Sequence, residues 1–189
     1  KKAIAGKSVA VIGGGSVAID CADSAARLGA KDSYLVYRRS FEQMPAEEDE
    51  RQDAQKLGVH FMLLNQPVEY VADKKGVVTG VKLARTRLGE PDASGRRSPE
   101  KIPGSEWVLE ADVVVEAIGN KADAADWSAM VKVDKKGLIV TSAKTRKASL
   151  KSVSAGVYAG GDIVRGPALV VEAVEDGKQA ARAIREALV

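Results

Sequence analysis

Sulfur and imidazole are scarce in this chain. A single cysteine, Cys21, excludes an internal disulfide, a four-cysteine iron-sulfur site and the C-x-x-C pair of a dithiol reductase within these residues. A single histidine, His60, gives no basis for a His-rich zinc site and leaves a Ser-His-Asp hydrolase dependent on one residue. Two Trp, four Tyr and two Phe are too few for a base-stacking platform, and 29 basic against 26 acidic groups interleave to a net charge of only +3. A nucleic-acid partner is therefore not expected. No apolar run reaches the length of a membrane span. The faintly signal-like start, Lys1-Lys2 then Ala-Ile-Ala, is broken by Gly13-Gly14-Gly15 without a small-residue cleavage site. The expectation is a cytoplasmic protein with no membrane partner.

What is present describes a globular chain. At roughly 150 residues per domain, 189 residues make one domain and a remainder, and 45% apolar with 29% charged residues suffices for an ordinary core. Val9 to Ile12 is a β-branched run ending in three glycines, and Val17 to Leu28 then has helical spacing and stops at Gly29. Tyr34 to Tyr37 reads as a strand, Ala46 to Leu57 as a helix ending at Gly58, and Val59 to Leu63 as a third strand. This alternation predicts βαβ units and a parallel sheet. Val68 to Val71, Val77 to Ala84 and Trp107 to Leu109 follow without intervening helices, so an antiparallel excursion is expected, with Gly89 to Gly104 as a long hairpin loop. Ala111 to Ile118 returns as a strand buried on both faces. After Gly119 the composition turns polar. Gly156 to Ala159 reads as a strand, Gly160-Gly161-Asp162 as a turn, and Ala168 to Leu188 as a helix opened by Pro167.

The strongest chemical signal is Gly13-Gly14-Gly15-Ser16-Val17-Ala18, a G-x-G-x-x-A at a strand-to-helix junction. Gly13 permits the turn, Gly15 admits a pyrophosphate to the backbone, and Ala18 lets helix and strand pack closely. The first-turn amides and the helix dipole then favour phosphate. The bland alternative is a glycine turn with no ligand. Where an NAD site carries an acid about 20 residues on, this chain has Arg38 and Arg39, the first of them 23 residues beyond Gly15. Two guanidiniums there suit a 2′-phosphate, so NADP(H) should be preferred by about tenfold or more; two solvated arginines at a strand end are the alternative. Near the C-terminus, Gly156-Val-Tyr-Ala-Gly-Gly161-Asp162 offers an acid to sugar-like hydroxyls, with a helix N-terminus after Pro167. Other features read as structural. Tyr70 and Lys74 have Y-x-x-x-K spacing but straddle a strand and a turn, Glu47 to Glu50 fit a solvated first helical turn, His60 fits a core or edge strand, and Cys21 fits helix packing.

With Val9-Ala-Val-Ile-Gly-Gly-Gly-Ser-Val-Ala-Ile-Asp-Cys-Ala, Val36-Tyr-Arg-Arg-Ser and Met44-Pro-Ala, the chain resembles the glutamate synthase small-subunit family. Gly89-Glu-Pro-Asp-Ala-Ser-Gly-Arg-Arg, Ala117-Ile-Gly and Ala159-Gly-Gly-Asp extend the resemblance over almost the full length. That family, which includes ferredoxin:NADP transhydrogenases and the N-terminal half of dihydropyrimidine dehydrogenase, inserts an NAD(P)H domain into a split FAD domain. The resemblance implies a Rossmann-type NADPH-binding domain at 1–118 and an incomplete FAD-binding segment, the C-terminal part of a split domain, at 119–189. It implies that Gly13, Gly14, Gly15, Ser16, Val17 and Ala18 bind pyrophosphate, that Arg38 and Arg39 bind the 2′-phosphate, and that Gly119 lies near the nicotinamide. Gly161 and Asp162 would hold the FAD ribityl chain, with Ala168 and Leu169 beside the flavin. No catalytic side chain and no metal ligand is nominated. The family's FAD glycine motif and iron-sulfur cysteines have no counterpart here, and Glu116 stands where a small or apolar residue is usual. The expected partners are therefore an N-terminal FAD and iron-sulfur region or a large subunit, with a homodimer through the exposed C-terminal half as another. Two other functions remain open at this point: a self-contained NADP-dependent dehydrogenase and a non-enzymatic NADP(H)-sensing module.

Overall fold

The computed structural model describes residues 3–93, 95, 97–123, 125, 127–148 and 156–188. It divides into two compact units, Lys1–Ile118 and Gly119–Val189.

In the first unit β1 (Ser8–Ile12), β2 (Asp32–Tyr37), β3 (His60–Leu63) and β7 (Val113–Glu116) form a parallel sheet in the order β3-β2-β1-β7. The register pairs Val9 with Ser33 and Val113, and Ile12 with Val36 and Glu116. β4 (Asn65–Ala72), β5 (Val78–Pro91) and β6 (Arg97–Glu110) form a separate antiparallel sheet. Strand alternation sorts the core into two clusters. Val9, Val11 and Leu35 face α1 (Ser16–Arg27), whose Ala18, Ala22 and Ala25 are small enough to bring the helix onto the sheet beside Ile19. Ala10, Ile12 and Val36 point the other way, onto Val81, Leu83 and Leu109 of the antiparallel sheet. Both faces of β1 are thus covered, which is why its sequence is apolar without alternation. α2 (Glu48–Lys56) is opened by a capping box in which Glu47 and Glu50 satisfy each other's backbone amides. Cys21 packs against the α1 core, and His60 lies on the edge strand β3, its ring 5.2 Å from that of Tyr34.

Four sequence expectations change. The expected loop from Gly89 to Gly104 is mostly strand: Thr86 pairs with Lys101, Arg87 with Glu100 and Leu88 with Pro99, with register shifts on either side. Ser94 and Arg96 of that segment lie outside the described residues. Among the described strands β6 pairs only with β5 and so is an edge strand, the position at which prolines are tolerated. The expected strand from Gly156 to Ala159 is reduced to one bridge, Tyr158 to Lys147. The last helix, α4 (Val170–Leu188), starts two residues later than the sequence suggests, and Asp162 opens a four-residue helical turn, α3 (Asp162–Arg165), rather than a plain turn.

Candidate functional site

The turn from β1 into α1 is shaped by the backbone around it. Gly13 has φ +150°, and a Cβ there would lie 2.4 Å from the Ala117 carbonyl oxygen and 3.0 Å from the Ala18 methyl. A Cβ on Gly14 would enter the Tyr37 ring, whose hydroxyl donates to the Gln43 carbonyl at 2.6 Å. Gly15 is different: its backbone is extended (φ −93°, ψ 175°) and a Cβ would meet nothing within 4 Å. No contact among the described residues requires glycine at 15, and the space beside it is open enough to admit a ligand.

The helix end beyond Gly15 is open. Ala18 and Ile19 donate to the Gly15 carbonyl, whereas the Ser16 and Val17 amides have no partner among the described residues. α1 also has no acid in its first turn and no side-chain cap, while α2 carries Glu48, Asp49 and Glu50 and caps itself. An uncapped N-terminus with two amides unpartnered among the described residues can receive an anion. The Ser16 hydroxyl does not face that site freely: it donates to Glu50 Oε2 at 2.9 Å, the carboxylate that also caps α2. Ser16 therefore offers its amide rather than its hydroxyl, and Glu50 is a neighbour that sequence spacing did not disclose. Val17 is exposed at the rim and Ala18 is fully buried beneath it.

Arg38 and Arg39 follow β2 at the same end of the parallel sheet. Their backbone is held from two sides: Thr86 Oγ1 donates to the Arg38 carbonyl at 2.9 Å, and the Leu64 amide to that of Arg39 at 3.2 Å. Arg38 is exposed, but Arg39 is only 8% exposed and its buried Nε has no hydrogen-bond partner among the described residues. This corrects the reading of two solvated arginines. A buried Nε–H with no acceptor among the described residues is costly to leave unpaired, so an acceptor such as a phosphate from outside the chain fits here.

At the end of β7, Glu116 accepts a hydrogen bond from the Tyr70 hydroxyl of β4. Burial and the carboxylate together push the Tyr70 hydroxyl up to about 12. Tyr70 and Lys74 do fall on a strand and a turn, so they form no helical pair.

The remaining nominated residues belong to the second unit. Gly119 is exposed with φ +90°. Gly161 has φ +71°, and its amide donates to Asp176 Oδ2 at 2.9 Å. Asp162 is exposed on a cavity of about 820 Å³ that Arg165, Pro167 and three lysines also line. Ala168 and Leu169 precede α4, and the Leu169 amide is taken by Glu172 at 3.1 Å. Asp176, which sequence reasoning missed, is fully buried and receives Arg165 through Nε at 2.9 Å and Nη2 at 2.7 Å, with Arg146 Nε 2.8 Å away. The arginine hydrogen bonds hold its carboxyl well below the ordinary range.

A parallel sheet with a glycine turn, an open helix N-terminus and an arginine pair at its carboxyl end defines a dinucleotide-binding α/β domain. The chain belongs to the pyridine nucleotide-disulphide oxidoreductase family, whose model matches residues 1–177. It is 47% identical over 183 residues to the NADP(+)-dependent formate dehydrogenase subunit beta of Moorella thermoacetica, covering 97% of this chain and 25% of that protein. It is 41% identical over 181 residues to the glutamate synthase [NADPH] small chain of Escherichia coli, covering 95% and 38%. The chain thus spans well under half the length of these relatives. Among solved structures it resembles T. acidophilum thioredoxin reductase, with a TM-score of 0.74 at 26% identity, over 100% of this chain and 55% of that one. No described helix is long and apolar enough to cross a membrane.

Proposed function

We propose that residues 1–118 bind NADPH, and that residues 119–189 contribute one flank of an FAD site in a longer flavoprotein oxidoreductase. The observation that carries the reading is Arg39, which follows β2 at the same end of the sheet as the α1 turn and is buried with its Nε unpartnered among the described residues. Two relatives named for NADPH or NADP(+) support it. When bound, NADPH supplies a hydride and FAD accepts it. The chain's own residues provide position rather than acid or base chemistry: Gly15 and the Ser16 and Val17 amides receive the pyrophosphate, Arg38 and Arg39 fix the 2′-phosphate, and Asp162 offers an acceptor to ribityl hydroxyls.

In this reading electrons leave for iron-sulfur centres outside these residues, in an upstream region or a large subunit, and the protein is cytoplasmic. A second copy covering the C-terminal half is the rival partner, and the mass of the particle in solution separates the two. A sensing module or a self-contained dehydrogenase is less well supported, since the carboxylate at the glycine turn, Glu50, is already engaged by the Ser16 hydroxyl and the Glu47 amide.

Calorimetric titration with NADPH, NADH and FAD tests the reading. NADPH should bind at least about tenfold tighter than NADH, Arg38→Ala with Arg39→Ala should remove the difference, and FAD should not bind these residues alone. Equal affinity for the two nucleotides would overturn the 2′-phosphate assignment.

A further inference from the structure

Glu116 ends β7, the edge strand that pairs with β1, and its placement bears on which redox state of the nucleotide the cleft prefers. In an open parallel sheet a dinucleotide spans the strand ends. Arg38 and Arg39 mark the 2′-phosphate half over β2, so the other half extends past β1 toward β7. β7 ends at Glu116, in register with Ile12 and thus one residue from the position of Gly13, whose turn abuts the Ala117 carbonyl. Val114 faces the antiparallel sheet, and Glu116, two residues on, shares that face. There Tyr70 donates to it, fixing the carboxylate beside the cleft rather than leaving it to rotate into solvent.

We infer that Glu116 is a specificity-determining residue that favours the oxidised nicotinamide nucleotide. This rests on the reading that the cleft holds NADP(H). The nicotinamide ring carries a formal positive charge in NADP+ and none in NADPH, so a fixed carboxylate at that end of the cleft stabilises one redox state and is indifferent to the other. Tyr70 keeps the carboxylate in place without neutralising it. The tyrosine stays a neutral donor, since burial and Glu116 both raise its ionisation to about 12.

The test compares the dissociation constants of NADP+ and NADPH for the full 189-residue chain and for Glu116→Gln and Tyr70→Phe. Glu116→Gln keeps the shape and an acceptor for Tyr70 but removes the charge. It should weaken NADP+ by about fivefold while NADPH stays within about twofold. Tyr70→Phe retains the charge but releases it from its place, and should move the NADP+ to NADPH ratio in the same direction by a smaller factor. A purely structural pair would lower the melting temperature in both variants and leave the ratio unmoved. An unchanged ratio in Glu116→Gln, or an equal shift in Tyr70→Phe, overturns this inference while the nucleotide reading stands. Failure of the parent chain to bind either nucleotide overturns both.

Discussion

The two units are held together by different physics. In the first, the buried residues are overwhelmingly apolar, and Leu35, Val11, Leu83 and Val81 are fully enclosed between α1, the parallel sheet and the antiparallel sheet. In the second, an acid, Asp176, is fully enclosed alongside Val131 and is tied to Arg165, Arg146 and the Gly161 amide, while α4 exposes Val170, Val171, Val174, Ile184 and Leu188. A unit built on burial gains its stability mainly from area, a contribution that does not depend on pH. One centred on a charge cluster depends on the ionisation of its members.

The contrast can be broken most forcefully by deleting core volume. Leu35→Ala should cost about 2–5 kcal/mol in the first unit, read from denaturant unfolding, whereas Val174→Ala on α4 should stay within about 0.5 kcal/mol. Next come the two glycines of the turn. Gly13→Ala places a methyl against the Ala117 carbonyl and should destabilise by about 2 kcal/mol or more. Gly15→Ala should change stability by less than about 1 kcal/mol yet weaken NADPH by about tenfold, because the added methyl occupies ligand space.

Acid should then separate the units. Asp176 has a depressed folded pKa, so its contribution is fully present above the ordinary carboxylate value of about 3.9. It is lost as pH falls below that value toward the folded one. Far-UV ellipticity and limited proteolysis between neutral pH and acid should show the α4 region loosening first, and Asp176→Asn should produce the same loosening at neutral pH and flatten the pH dependence. The smallest effect is spectroscopic. Tyr70 is raised to about 12, so its stabilising bond is complete below the ordinary tyrosine value of about 10 and is lost as pH rises through about 12. Ultraviolet titration should show Tyr34 and Tyr70 ionising late, with Glu116→Gln moving only the Tyr70 step back toward the ordinary value.

The same contrast explains what could be read from the residues alone. β1, the glycine turn, α1 and β2 were legible because each is punctuated locally: a β-branched run, three glycines, helical spacing, a terminal glycine. Arg38 and Arg39 were legible as a pair at a strand end. The burial of Arg39 was not, since it depends on residues far along the chain, as its neighbour's carbonyl bond to Thr86 illustrates. The extension of β5 and β6 was hidden because Gly89, Pro91, Pro99 and Gly104 are turn-forming residues that an open edge tolerates. Tyr70 and Glu116 meet across 46 residues, and Asp176 sits in a helix between Glu175 and Gly177, where a carboxylate looks like a solvated face until Arg165 and Arg146 fold onto it.

The central claim is that Arg39 is kept buried and unpaired for a 2′-phosphate, and Arg39→Met tests it with two readouts on one variant. Replacing an uncompensated buried charge by an apolar side chain of similar length should hold or raise the melting temperature. The ratio of NADPH to NADH affinity, measured by calorimetry, should fall at least severalfold toward that of a nucleotide site blind to the phosphate. A variant that folds and keeps the full ratio would contradict the account.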